Sequence, residues 1–239
     1  MITLSIVSHG QLDLVKKLLS DLEAIYAGDF EVILTLNIPE IQAVNIASYC
    51  YPLRLLANQR PLGFGANHNQ AFLYSKGEYF AVVNPDIRAY RLRLEALTST
   101  LESVARAGAC APLVLDENGA VADSARFFPS FYRLLKRVVV RSRGSDYIFR
   151  GSSIEVDWVA GMFVVFKRSV FRDIGGFDSR RFFMYFEDVD ICKRMHDEGI
   201  TTLLQPSTFV VHTAQRASRY NLQHFWWHLN SAIRYFCGK

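Results

Sequence analysis

The chain has 239 residues, half of them apolar, with a formal net charge of +4 and four cysteines. That length supports one sizeable core, the composition is that of a soluble globular protein, and no run of about 18 apolar residues exists to span a bilayer. The mild charge does not demand nucleic acid, and Cys50, Cys110, Cys192 and Cys237, with no Cys-x-x-Cys spacing, read as reduced cytosolic thiols that mostly pack.

Ile2 to Val7 reads as a first strand ended by Ser8-His9-Gly10. It runs at once into His9 and Asp13, so a signal peptide is not expected. Leu12, Val15, Leu18, Leu19, Leu22 and Ile25 then recur at helical spacing. Phe30 to Leu36 and Leu53 to Ala57 read as the next strands, and Gly63-Phe64-Gly65 turns the chain into a helix over Ala66 to Ser75. A strand over Tyr79 to Val83 ends at Asn84-Pro85-Asp86; a helix through Leu92, Leu94, Leu97, Leu101 and Val104 follows, then a strand from Cys110 to Leu115. This alternation predicts a mostly parallel sheet covered by helices on both faces.

The second half changes character. Asp116-Glu117-Asn118-Gly119 reads as a hairpin turn, and residues 127–150, with Arg126 beside them, as a basic and aromatic insert with Arg133, Lys136, Arg137, Arg141, Arg143 and Arg150. Val156 to Phe166 is strand-like, a helix is expected from Glu187 to Gly199, and Thr201 to Leu204 and Phe209 to Val211 are short strands. Leu222, Phe225, Trp226, Leu229, Ile233 and Phe236 form one stripe of a last helix. No repeat, low-complexity segment or linker divides the chain, so a single domain over 1–239 is expected.

Two stretches carry chemistry. An apolar strand that ends abruptly in Asp86 places a carboxylate at the strand's carboxyl end, where open α/β sheets bind ligands. Pro85 stiffens that turn. One carboxylate over a crevice suits a divalent cation that also takes phosphate oxygens; the plain alternative is that Asp86 begins a turn. The other stretch is Phe182 to Asp190, where Glu187, Asp188 and Asp190 open a helix behind an aromatic cluster. Carboxylates suit a helix start, yet aromatic walls also raise a carboxyl pKa, as a general base requires. Glu187 and Asp190 share one helix face and Asp188 points elsewhere. His212 after Phe209-Val210-Val211 reads as structural or as a ligand, while His224 and His228 read as packing or interface residues. Gly63-Phe64-Gly65 lacks the rest of a dinucleotide fingerprint.

Five segments in order resemble family 2 inverting glycosyltransferases of the GT-A nucleotide-sugar fold, and their rhamnosyltransferase-like branch in particular. These are Leu4 to Ser8; Arg60 to Asn69; Asn84-Pro85-Asp86; Asp157-Trp158-Val159-Ala160-Gly161 leading to Gly175-Gly176-Phe177-Asp178; and Phe183 to Asp190. The resemblance implies an α/β GT-A fold with a smaller antiparallel acceptor-side region, residues 1–115 forming the nucleotide-binding half and 116–239 the acceptor-side half. Asp86 matches the last acid of the family's metal motif with Asn84 at its first position. Asp188 matches the catalytic base, and His212 a late histidine that completes a Mg²⁺ or Mn²⁺ site. Ser8, His9, Asn37, Arg60, Gly63 and Asn67 fall where the donor nucleotide is held; Trp158, Gly161 and Glu187 fall on the acceptor side. The chain departs from the family at Leu36-Asn37, where Asp-Asn is usual, which puts the contact to the nucleotide base in question.

What the resemblance implies is transfer of one sugar, deoxythymidine diphosphate-rhamnose being the first expectation, to a saccharide or lipid-linked saccharide in cell-surface polysaccharide synthesis. The implied setting is cytoplasmic, with peripheral contact at the inner face of the plasma membrane. The basic insert and terminal stripe read either as a solvated face and a core or homodimer contact, or as that membrane contact. A sugar-phosphate nucleotidyltransferase would need a glycine- and arginine-rich loop where Ser8-His9-Gly10-Gln11-Leu12 stands. A processive synthase would need spanning helices and a Gln-any-any-Arg-Trp segment. A non-catalytic saccharide-binding module remains the alternative from outside the enzymes.

Overall fold

A computed structural model describes residues 1–40, 44–130, 146–147, 151–213 and 222–238. Most of the basic insert, at 131–145 and 148–150, lies outside the described residues, as do Arg219, Tyr220 and Lys239.

The first half alternates as its periodicity requires: β1 (Ile2–Ser8), α1 (Leu12–Ile25), β2 (Phe30–Leu36), β3 (Leu53–Ala57), α2 (Phe64–Tyr74), β4 (Tyr79–Val83), β5 (Ile87–Arg88), α3 (Leu94–Ser103) and β6 (Ala107–Leu115). The second half adds β7 (Ala125–Arg126), β8 (Ile154–Val156), β9 (Trp158–Val159), β10 (Phe163–Lys167), α4 (Arg168–Asp173), α5 (Glu187–Asp197), β11 (Thr201–His212) and α6 (Leu222–Cys237). Among the described residues one large, mostly parallel sheet runs β3-β2-β1-β4-β10-β6-β11-β5, with β8 paired to β11. A small antiparallel sheet joins β7 to β9.

Strand side chains alternate between faces, and the core shows it. Ala81 and Val83 of β4 and Phe163 and Val165 of β10 pack with Val15, Leu18 and Leu22 of α1 and Leu97 and Leu101 of α3. Phe80 and Val82, with Val164 and Phe166, face the opposite layer, against Ala71 of α2, Phe171 of α4 and Val189 of α5. Phe30, Phe80, Phe163, Phe166, Phe171 and Phe182 are fully buried; each stabilises the fold by about 1.5–3 kcal/mol.

Three expectations differ in detail. Val156 to Phe166 is not one strand: it divides into β8, β9 and β10, paired to β11, β7 and β4 respectively, with Gly161 in the break. Conversely, the two short strands after Gly199 are one, β11, with a register shift between Gln205 and Phe209 around Pro206. The Asp116 turn closes with the Asp116 N–H on the Ala120 carbonyl at 2.8 Å, but beyond it lies a single bridge, Leu115 to Val121.

Two local devices bear on function. Asp21 of α1 grips Arg88 of β5 with both oxygens, at 2.7 and 2.8 Å, and also accepts the Ala89 N–H at 3.0 Å. This pins the chain immediately after Asp86. At the start of α2, a Cβ on Gly63 would stand 2.3 Å from the Phe183 carbonyl oxygen, and that same oxygen accepts the Phe64 N–H at 3.0 Å. Only glycine lets the aromatic segment lie this close to the helix.

Candidate active site

The carboxyl ends of β1, β2 and β3 meet over the start of α2. Asn37, 6% exposed, clamps the loop there. Its Oδ1 accepts the Leu62 N–H at 2.8 Å and its Nδ2 donates to the Leu62 carbonyl at 2.9 Å, while Nδ2 also lies 3.1 Å from His9 Nδ1. Asn58 Nδ2 bridges Asn37 Oδ1 and Asn67 Oδ1, at 2.9 and 2.7 Å. Asn67 Nδ2 in turn donates to the Leu62 and Gly63 carbonyls. Ser8 is buried and its Oγ accepts the Gln11 N–H at 3.2 Å, at the entry to α1. His9 and Arg60 are exposed beside this loop. The structure thus brings His9, Asn37, Gly63 and Asn67 together and adds Asn58, which sequence reading missed because one Asn after a strand has no periodic signature.

Asp86 follows β4 and is anchored by its backbone: its carbonyl accepts the Thr213 N–H at 3.0 Å and the Thr213 hydroxyl at 2.9 Å. That places it beside the end of β11, where His212 Nε2 lies 3.0 Å from Asp86 Oδ2. The other carboxylate oxygen, Oδ1, is buried without a hydrogen-bond partner. A buried carboxylate oxygen left bare is costly unless something of opposite charge or a donor meets it. A carboxylate and an imidazole suit Mn²⁺ or Mg²⁺, with the remaining positions left for phosphate and water. Among the described residues there is no group of three such ligands.

Asp188 stands at the first turn of α5. The two residues before this helix, Tyr185 and Phe186, both have positive φ, 72° and 67°. Bulky residues rarely adopt that region, and such outliers cluster at functional sites. Here they turn the chain so that Asp188 meets Gly161: the Gly161 N–H donates to Asp188 Oδ2 at 3.1 Å, and the Val189 N–H to Oδ1 at 2.9 Å. A Cβ on Gly161 would approach Phe64 to 3.0 Å. The next residue, Met162, accepts the Asn84 N–H on its carbonyl at 2.8 Å. Consecutive residues 161 and 162 therefore tie the Asp188 turn to the Asn84-Pro85-Asp86 turn.

The three acids of α5 have different environments. Asp190 is held by Arg181 and Arg194, at 3.2 and 2.8 Å, and is structural. Burial raises the Asp188 pKa, while N–H bonds from Gly161 and Val189 and the nearby Arg126 guanidinium pull it down. Glu187 is 6% exposed, with one oxygen unpartnered. Burial, then the Asp188 charge, pushes its pKa to about 8. Glu187 is therefore the member of the pair that stays protonated around neutral pH. Between the ordinary 4.5 and about 8 the folded chain binds more protons at Glu187 than the unfolded chain does. Stability falls as pH rises through that window. Glu187→Gln removes the effect, so it is expected to melt several degrees above wild type at pH 8 and level with it at pH 4, read by thermal melts across pH; 1 kcal/mol corresponds to about 2–4 °C at this size.

Trp158 is buried: its indole N–H donates to the Phe127 carbonyl at 3.0 Å, and the Arg126 guanidinium lies 5.7 Å from the centre of its ring. Arg126 entered the sequence reading only beside the basic insert; nothing in its local sequence announces its nearness to Asp188. His224 and His228 pack, as expected: Tyr185 Oη lies 2.8 Å from His224 Nδ1, and the His228 ring lies 5.4 Å from Phe186.

Fold and paired acid turns together define the GT-A class of glycosyltransferases, and solved structures agree on the fold. GalNAc-T7 with UDP, GalNAc and Mn²⁺ superposes with a TM-score of 0.63 at 14% identity, over 90% of this chain and 44% of that one. The mannosyltransferase PcManGT from Pyrobaculum calidifontis, in complex with GDP-Man and Mn²⁺, gives 0.60 at 16% identity, over 98% of this chain and 64% of that one. The family model "Glycosyl transferase family 2" matches residues 3–175, and the chain belongs to that family, on its rhamnosyltransferase-like branch. Rhamnosyltransferase WbbL of Escherichia coli (strain K12) is 31% identical over all of this chain and 94% of its own length. The N-acetylglucosaminyl-diphospho-decaprenol L-rhamnosyltransferase of Mycobacterium tuberculosis (strain CDC 1551 / Oshkosh) is 33% identical over 68% of this chain, which spans 59% of that protein. None of the helices among the described residues is long and apolar enough to cross a membrane.

Proposed function

We propose that the chain is a metal-dependent inverting transferase that moves one rhamnosyl unit from deoxythymidine diphosphate-rhamnose to a saccharide or lipid-linked saccharide, in cell-surface polysaccharide synthesis at the cytoplasmic side of the membrane. The observation that carries this reading is the bonding of the two acid turns to the adjacent residues Gly161 and Met162. It supports one rim with a cation-binding carboxylate on one side and a proton-accepting carboxylate on the other. Identity to two rhamnosyltransferases supports the sugar, and the decaprenol in one relative's name supports a lipid-linked acceptor.

Each residue has a task in this scheme. Asp86 and His212 would hold Mg²⁺ or Mn²⁺, which supplies positive charge against the diphosphate. Asn37, Asn58 and Asn67 keep the loop before α2 in one shape, so the N-terminal peptide groups of α2 and the exposed His9 and Arg60 face an arriving nucleotide. The acceptor hydroxyl attacks the anomeric carbon from the side opposite the diphosphate. The new C–O bond forms as the old one breaks, the diphosphate leaves with the electron pair, and Asp188 takes the proton. A single displacement inverts the anomeric centre, by the geometry that separates inverting from retaining hydrolysis. Glu187, kept protonated beside it, leaves Asp188 as the ionised member. Arg126 favours that ionised form, and Trp158 and Gly161 shape the acceptor side.

The donor is tested by thermal shift. A ligand at one hundred times its dissociation constant adds about 2.7 kcal/mol of stability, so deoxythymidine diphosphate-rhamnose with Mn²⁺ is expected to raise the melting point by several degrees. A larger rise with uridine diphosphate hexoses would overturn the donor assignment, and Leu36-Asn37 is the place to look for the cause.

A further inference from the structure

We infer that α6 lies in the surface of an anionic lipid bilayer, apolar edge inward. Its two faces differ. The inner face grips the segment before the base: Ser231 Oγ donates to the Met184 carbonyl at 2.9 Å, the Trp227 ring lies 5.1 Å from Phe183, and Tyr235 lies 5.4 Å from Phe186. The outer face carries Phe225, Trp226, Leu229 and Ile233, which are 62, 57, 37 and 52% exposed. Their spacing of i, i+1, i+4 and i+8 makes one continuous edge on the helix. A contiguous aromatic and aliphatic edge open to water marks a contact surface.

Charge decides what covers it. After Glu198 the sequence contains no further Asp or Glu, while Arg216, Arg219, Arg234 and Lys239 stand before, within and after α6 in the sequence; the Arg234 guanidinium, on an exposed residue, also donates to the Arg181 carbonyl. Docked on a second copy of itself, this basic region would meet like charge. A basic stretch of this kind is attracted to anionic headgroups, with Trp and Phe at the depth where such rings settle. Sixteen residues lying in the plane is the pattern of an interfacial amphipathic helix, not of a span. Because α6 packs directly on residues 183–186, the bilayer would lie within about one helix diameter, roughly 10 Å, of the Asp188 turn. Only the delivery of a lipid-linked acceptor rests on the proposed transfer; binding to the surface does not.

Cosedimentation with vesicles tests this without any donor. Wild-type protein is expected to pellet with phosphatidylglycerol–phosphatidylcholine vesicles, more weakly with phosphatidylcholine alone, and less as salt rises. The Phe225→Ser/Trp226→Ser/Ile233→Ser variant, which changes only exposed positions, is expected to bind at least about tenfold more weakly with an unchanged melt. In the unaltered protein, brominated acyl chains are expected to quench Trp emission, which holds whether or not the variant folds. Three results would overturn the inference: wild type that stays in the supernatant with anionic vesicles, a folded variant that pellets as well as wild type, or a dimer that the variant dissolves while vesicles capture neither protein. Failure of donor binding would leave all three readouts untouched.

Discussion

Asp188→Asn is expected to lower sugar transfer by about 10²–10⁴-fold while leaving donor binding intact. The substitution keeps the shape of the side chain. An amide oxygen still accepts one of the two N–H bonds that Gly161 and Val189 now give the carboxylate, so the turn is expected to hold. What disappears is a group able to accept the hydroxyl proton. The loss therefore falls on kcat and not on donor KM, and steady-state kinetics with a thermal shift by donor separates the two. Glu187→Gln is the internal control: it fixes the protonated form that burial already favours near neutral pH, and transfer there is expected to stay within a few-fold. If both variants lost activity equally, the division of labour between the acids would be wrong.

Asp86→Asn is expected to remove the response to Mn²⁺ or Mg²⁺ and to lower turnover at least about 100-fold, the size of a loss of several kcal/mol in charge stabilisation. The backbone bonds that anchor this turn, from Thr213 to the Asp86 carbonyl and from Asn84 to Met162, do not involve the side chain. Folding is therefore expected to survive, and a metal titration of donor turnover reads the defect. His212→Ala is expected to weaken the apparent metal affinity with a smaller loss at saturating metal. The buried, partnerless Asp86 Oδ1 is the physical reason for placing the cation there.

Much of this was legible in the sequence because it rests on short-range pattern. The continuous apolar run from Tyr79 to Val83 pointed to a buried strand and period 3.6 in Leu12 to Ile25 to a helix, and Gly199 marked the end of α5. The acids at the carboxyl end of β4 and the start of α5 stood out because each interrupts an apolar run. Where the reading failed, the deciding fact was a distant partner. The run from Val156 to Phe166 looks like one strand until three different neighbours claim its parts. The Asn37–Asn58–Asn67 clamp joins residues from three elements, and no local feature connects them. Tyr185 and Phe186 carry aromatic side chains that argue against positive φ, so their geometry is visible only once Gly63, Trp227 and Tyr235 surround the segment. Equally hidden was Arg126, whose charge is felt at Asp188 with β7 paired to β9.

The most direct test is release of deoxythymidine diphosphate from deoxythymidine diphosphate-rhamnose, measured with a saccharide acceptor, with and without Mn²⁺ or Mg²⁺. Release that needs both acceptor and divalent cation, with the new bond of opposite anomeric configuration to the donor, is the expected result. Tight nucleotide binding with no release from any donor, or release that Asp188→Asn leaves unchanged, would contradict a cation-assisted displacement at this rim.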